Sequence, residues 1–201
     1  MKKSTKILLG FLFGIIALFW FYPFIIVIIN ALKGNRGIFQ NPLWFTRDFT
    51  FSNFKTAYRA LDFTSSFFNS LVITVASVIV ITLVSAATAY ALSRVKGPFS
   101  SILYYLCAGT MLIPFQSIMI PLLSLFGKVN FLNRTSLVIM NTGLSVSLSI
   151  ILFYGAFQGV SKTLDEAAAL DGAYPFKTFV YIIFPAVSPM TGTVVILNAM
   201  K

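Results

Sequence analysis

The sequence predicts an all-α polytopic membrane protein. Of its 201 residues, 58% are hydrophobic and only 10% are charged, against about 25% charged in a soluble domain. The charges are confined to segments 1–6, 33–62, 94–96, 128–134, 162–177 and 201. Between them lie five uncharged runs, 7–32, 63–93, 97–127, 135–161 and 178–200, each longer than the about 20 apolar residues that a bilayer-spanning helix needs. High hydrophobicity with low charge also excludes a disordered chain.

The first span is read over residues 7–29. Seventeen of these are Ile, Leu, Val or Phe, worth about −5 to −10 kcal/mol for insertion. Lys2, Lys3 and Lys6 precede it, as in a signal peptide, but the apolar core is too long and no A-x-A site follows. A retained span is expected, with Trp20, Tyr22 and Pro23 toward its far end as interface anchors and a local kink. Segment 33–66 carries the turn formers Gly34, Asn35, Gly37, Asn41 and Pro42. Within it, residues 50–61 suit a short amphipathic helix started by Ser52 or Asn53, with Phe54, Ala57, Tyr58 and Leu61 on one face.

The second span covers about residues 67–92. In its later half Ala87 and Ala91 form a small-xxx-small pair of the kind that lets helices approach closely in lipid. Arg94, Lys96, Gly97 and Pro98 make a basic turn. The third span, about 101–126, holds Pro114 and Pro121 with Gln116 between them. Each proline frees a backbone carbonyl, which suits either a helix beside a water-filled path or a plain structural kink. The fourth, about 135–157, is the most polar, with Asn141, Thr142, Gly143, Ser145, Ser147 and Ser149. That face suits a pathway wall or bonds to neighbouring helices. The fifth span is about 179–200. No charge lies deep in any span, which argues against a proton pump or ion-coupled exchanger.

Composition removes further chemistries. There is no His and one Cys, Cys107, so a His-based triad, a His-ligated zinc and an intrachain disulfide are excluded. No metal or cofactor is expected, and Cys107 reads as a small buried hydrophobe. The net charge of +10 is scattered over short loops, so the expected partner is the lipid bilayer and not nucleic acid. Seven basic residues fall on the N-terminal side of the membrane and eight on the other, and this balance does not fix the orientation.

Segment 158–177, QGVSKTLDEAAALDGAYPFK, reads as a short helix of about 164–171 outside the bilayer. Thr163 and Glu166 have capping-box spacing. Asp165 and Glu166 suit the first turn, and Gly172 followed by Pro175 ends the helix. On local chemistry it is either a rigid docking element or a plain loop helix.

The pattern Glu166-Ala167-Ala168, three residues, Gly172, nine residues, Ile182, one residue, Phe184-Pro185 resembles the EAA loop of binding-protein-dependent ABC importer permeases. Phe184 stands where that family usually has Leu. The stretches NSLVIT (69–74), SAATAYALSR (85–94), IPFQSIMIPL (113–122), EAAALDGAYPF (166–176) and SNFKTAY (52–58) resemble its carbohydrate-uptake branch, specifically the second maltose-type permease subunit. This resemblance implies a transport subunit that moves a sugar or oligosaccharide into the cell by alternating access. A non-sugar solute such as an amino acid is the alternative. It implies a bacterial plasma or inner membrane, with loop 162–177 and the N-terminus in the cytoplasm. The helix would be the coupling helix, with Glu166, Ala167, Ala168, Asp171 and Gly172 in contact with an ATPase subunit. The implied partners are a homologous permease subunit in a heterodimer, two cytoplasmic ATPase subunits and an extracellular substrate-binding protein. The family usually has six spans, so a sixth, with its C-terminal tail, is expected beyond the five seen here. Two other classes remain: a membrane-embedded enzyme, for which no polar cluster at one depth is seen, and an assembly subunit with no pathway of its own.

A phosphate loop of the form G-x-x-x-x-G-K-[ST] is absent, since Gly127-Lys128 is followed by Val129 and lacks the earlier glycine. The purified chain is therefore expected to hydrolyse no ATP, as a phosphate-release assay on reconstituted protein would check; turnover above that of empty vesicles contradicts it.

Overall fold

The computed structural model describes residues 3–45 and 48–201; Lys2, one of the basic residues ahead of the first span, lies outside them. The helices are α1 (Lys3–Ala31), α2 (Asn35–Gln40), α3 (Ser52–Ala60), α4 (Phe63–Arg94), α5 (Pro98–Thr110), α6 (Phe115–Lys128), α7 (Arg134–Gln158), α8 (Thr163–Leu170), α9 (Pro175–Ala186) and α10 (Ser188–Ala199). Three of them, α1, α4 and α7, are long and apolar enough to cross a membrane, and there are five spans if each bent pair, α5 with α6 and α9 with α10, counts as one. The chain divides into two compact units, Met1–Phe67 and Phe68–Lys201.

In the first unit α1 runs through Pro23 as one helix, with apolar side chains exposed along nearly its whole length, as lipid contact requires. The polar segment after it is tied down by side chains rather than by a core. The buried Lys33 donates from Nζ to Asn30 Oδ1 (3.1 Å) and to the carbonyl of Asn41 (2.7 Å). Asn53 donates from Nδ2 to the carbonyls of Ala31 (3.1 Å) and Lys33 (2.6 Å). Thus Asn53 does not start α3, whose N-cap is Phe51. Phe54, Tyr58 and Leu61 remain exposed.

In the second unit the core lies where α4, α7, α9 and α10 meet: Ala86, Ala89 and Leu92 against Ile150, Phe153 and Phe157, and against Ile183, Val187 and Val194. Phe153, Phe157, Phe179 and Phe184 form a connected ring cluster. The close-approach face of α4 is Ser85, Ala86 and Ala89, all fully buried; Ala87 and Ala91 are exposed. The small-residue pair read from the sequence is thus one helical step away from the face that packs.

Two expected spans are bent. Between α5 and α6 the chain turns by 97°, so 101–126 is not one helix. The break is at Pro114, which is extended (ψ 137°) and disfavours helix in the residue before it; Pro121 sits inside α6. Likewise α9 and α10 meet at 79° around Val187. Within α9, Phe179–Ile183 form a π-turn, since Pro185 has no N–H to offer the preceding turn. At the start of α7, Asn133 accepts from the Ser136 N–H (3.0 Å) and the Ser136 hydroxyl accepts from the Asn133 N–H (3.0 Å), closing a capping box.

The two alanine faces make a direct test. Ala89→Leu must overfill the core and is expected to cost about 1–3 kcal/mol, whereas Ala91→Leu stays within about 0.5 kcal/mol of the parent. Thermal melting of the detergent-purified chain reads both, and the reverse order would contradict the packing.

Candidate functional site: a latched helix outside the membrane

α8 is only eight residues long, too short to be stable alone. Three features hold it. At its start the Ser161 hydroxyl accepts from the Thr163 N–H (3.3 Å) and pairs with the Thr163 hydroxyl (2.8 Å). The N-cap is Lys162, without a side-chain cap bond, so the Thr163–Glu166 capping box does not form. Ser161 takes its place because the helix begins at Thr163. At its end Ala173 N–H donates to Ala168 C=O (2.9 Å) and Gly172 N–H to Ala169 C=O (3.0 Å). This is a Schellman closure with Gly172 at φ +80°, a conformation open to glycine at little cost.

The third feature is tertiary. Asp165 forms an ion pair with Arg94 at the end of α4, Nε to Oδ2, 2.9 Å. Its other oxygen accepts from the Tyr90 hydroxyl (2.6 Å). Arg94 also donates from Nη1 to the carbonyl of Phe157 (3.2 Å) and from Nη2 to that of Val160 (3.4 Å). It thereby supplies donors that the last turn of α7 lacks. Its guanidinium lies 5.6 Å from the centre of the Tyr90 ring, which stacks on Phe179 of α9 (5.0 Å). One cluster therefore joins α4, α7, α8 and α9. Both charges are mostly shielded from water, which strengthens the attraction over that of a surface pair.

The five residues singled out in α8 and its cap separate into two groups. Ala168 is buried (4% exposed) and seats the helix against its own chain. Glu166, Ala167, Asp171 and Gly172 are exposed. Beside them stand Leu170 (90% exposed), Tyr174 (81%) and Phe176 (77%), large apolar side chains on a loop flanked by charged residues. Sequence reasoning missed these three, and missed Tyr90 and Arg94. Its one available signal was the opposite charges of Arg94 and Asp165 on turns assigned to the same membrane face.

A second feature is a cavity of about 630 Å³ walled by α4, α7, α10 and the α5–α6 bend, with Thr74, Ser77, Asn141, Ser145, Ser147 and Asn198 among its polar lining. Ser77 is buried, and its hydroxyl has no partner among the described residues. Ser145 accepts from Lys201 Nζ (3.0 Å), and Ser149 accepts from Asn198 Nδ2 (3.0 Å). The polar face of the fourth span thus both lines a cavity and bonds to a neighbouring helix. Gln116 is exposed and does not line the cavity.

Residues 81–201 match the family model described as "Binding-protein-dependent transport system inner membrane component". The chain is similar to a probable starch degradation products transport system permease of Thermoanaerobacterium thermosulfurigenes, with 43% identity over 97% of this chain and 71% of the relative. To the melibiose/raffinose/stachyose import permease of Bacillus subtilis it is 30% identical, over 98% of this chain and 71% of that one. Among solved structures it resembles a chain of a bacterial ABC transporter involved in the import of the acidic polysaccharide alginate. The TM-score is 0.85 at 25% identity, covering all of this chain and 72% of that one.

If the Asp165 cluster sets the position of α8, Arg94→Gln and Asp165→Asn each loosen it. A nitroxide at position 167 is expected to move faster in either variant, and no faster in the double. The pair's interaction energy from a double-mutant cycle is expected at about 0.5–3 kcal/mol; purely additive effects would contradict the latch.

Proposed function

Since the chain belongs to the family of binding-protein-dependent transport system inner membrane components, multi-pass transport subunits and not enzymes, we propose that it is the permease subunit of an ATP-driven sugar importer. Its substrate is a sugar or oligosaccharide, moved into the cell by alternating access. The relatives named for starch products and for melibiose, raffinose and stachyose favour sugar over an amino acid or other solute. In this reading the partners are a homologous permease subunit, two cytoplasmic ATPase subunits that hydrolyse the nucleotide, and an extracellular substrate-binding protein.

The observation that carries the proposal is α8. It is rigid, capped at both ends and latched to three other helices, yet it presents Glu166, Ala167, Asp171 and Gly172 beside the exposed Leu170, Tyr174 and Phe176. An apolar patch on a water-facing loop marks a protein contact, and a latched helix passes displacement of its partner to the spans. The partner is the ATPase. Ala168 serves this contact from behind, by seating the helix.

Orientation follows from this assignment. With each bent pair counted as one crossing, four crossings separate the N-terminus from α8. Both then lie in the cytoplasm, and the segment tied by Lys33 and Asn53 lies outside. The cavity beside Ser77 and Asn141 is this subunit's part of the pathway. Its hydroxyls and amides, beside the Lys201 ammonium bound to Ser145, suit sugar hydroxyls, which both donate and accept.

Glu166→Lys reverses the charge of the exposed face, and Gly172→Pro forbids the positive φ of the cap. In the assembled transporter each is expected to leave membrane insertion intact. Uptake of labelled sugar should fall about 5- to 150-fold, the range of a coupling free energy of about 1–3 kcal/mol. Parental uptake in either variant would refute the coupling role.

A further inference from the structure

A second concavity, of about 350 Å³, opens between the α4–α5 turn and the end of α7. Lys96 and Lys162 stand at its mouth with Gln158 and Ser101, and Tyr104, Tyr105 and Tyr154 line it. No acidic residue takes part in the lining. Among the described residues neither ammonium group has an ion pair or hydrogen bond, and neither do the three phenol hydroxyls; the nearby Arg94 is spent on Asp165. Two free ammonium groups with unused hydroxyl donors form a site for a phosphate-like anion.

We propose that this groove binds the headgroup of an anionic phospholipid such as phosphatidylglycerol. The groove's direction selects a lipid over a soluble anion. Lys162 immediately precedes α8, which is outside the hydrocarbon, and Lys96 is in the turn beside it. From there the groove follows α5 inward. Tyr104 is about 9 Å along the helix from Pro98, and Tyr154 is about 6 Å inward of Gln158, at about 1.5 Å per residue. That is the depth at which tyrosines sit in a membrane interface. Beside Tyr105 on α5, at helical i−3 and i+1 positions, Ile102 and Leu106 are exposed, an apolar strip for acyl chains. A carboxylate-bearing loop of a partner would meet the lysines but leave the strip and the tyrosines uncovered. A diacyl phosphate covers both, and a basic pocket between spans at the membrane surface suits such a headgroup. The inference rests on the membrane placement of the chain and not on the ATPase assignment.

The test uses the full chain in micelles containing equal phosphatidylglycerol and phosphatidylcholine, with retained lipid counted by native mass spectrometry. Phosphatidylglycerol is expected to be enriched, by about fivefold for each lysine near the surface. The enrichment should vanish in Lys96→Gln/Lys162→Gln, survive in Lys96→Arg/Lys162→Arg, and be unchanged in Lys128→Gln. Equal retention of the two lipids by the parent chain overturns the proposal without reference to any variant. So does unchanged enrichment in the glutamine pair. If inorganic phosphate displaces the lipid and raises the melting temperature as far as phosphatidylglycerol does, the occupant is a free anion and the lipid assignment fails. If carbodiimide joins Lys96 or Lys162 to a carboxylate of an ATPase subunit in the assembled transporter, the groove is a protein contact and the proposal also fails. Loss of coupling in Glu166→Lys has no bearing on any of these readings.

Discussion

The rest of the structure depends on the seat of α8, and that seat is one carboxylate. Asp165 takes the guanidinium of Arg94 on one oxygen and the hydroxyl of Tyr90 on the other. Without this pair the eight-residue helix would keep only its caps and the burial of Ala168, and isolated helices below about 12–15 residues are marginal in water. Arg94 has a double duty, because it also satisfies carbonyls at the end of α7. The same side chain thus ends one span, closes another and holds the helix between. A lysine could not serve all three acceptors, as it lacks the planar fork of donors.

The cluster is also at the right place to act at a distance. Arg94 and Tyr90 are on α4, and Ser77 of the cavity wall is on the same helix, about 20 Å away at about 1.5 Å per residue. The opposite wall comes from α7, whose far end carries Phe153 and Phe157 in the aromatic core. Packed cores transmit strain because they have few voids. A shift of α8 would therefore be shared by α4 and α7, two of the helices that wall the cavity. In the proposed function this is the route by which a motor outside the bilayer changes a pathway within it.

Much of this was legible in the sequence, and the failures have physical causes. The uncharged runs placed α1, α4 and α7 within a few residues, because burial of charge in hydrocarbon is costly enough to leave a clean signal. Gly172 was legible because the positive φ that closes a helix strongly favours glycine. The start of α8 was not: Ser161 and Thr163 can each cap, and a one-residue choice between them depends on the chain entering from α7. The packing face of α4 was missed by one step for a similar reason. SAATAYA contains small residues on several faces, and only the phenylalanines of α7 and α9 decide which is buried. The Arg94–Asp165 pair is long-range, and three acids compete for one arginine in the sequence. Tyr90 removes the ambiguity, but its role is visible only once α9 stacks upon it.

The two bent pairs complete the same logic. A chain that breaks its helix at membrane depth leaves carbonyls without donors, and lipid supplies none. Such breaks persist where protein or a wet cavity covers them. Thr110, Met111 and Ile113, at the α5–α6 break, lie on the wall of the cavity beside Ser77 and Asn141. The Val187 break is instead buried in the core, with Phe184 accepting from the Val187 N–H (3.2 Å). One bend thus faces the cavity and the other is sealed by the aromatic cluster. Pro114 and Pro185 are therefore not equivalent: the first breaks the helix beside the cavity, and the second lies near the core end of α9, beyond Phe179 on which Tyr90 stacks. The fold thus uses a proline twice, once beside the cavity and once at the aromatic core that backs the latch.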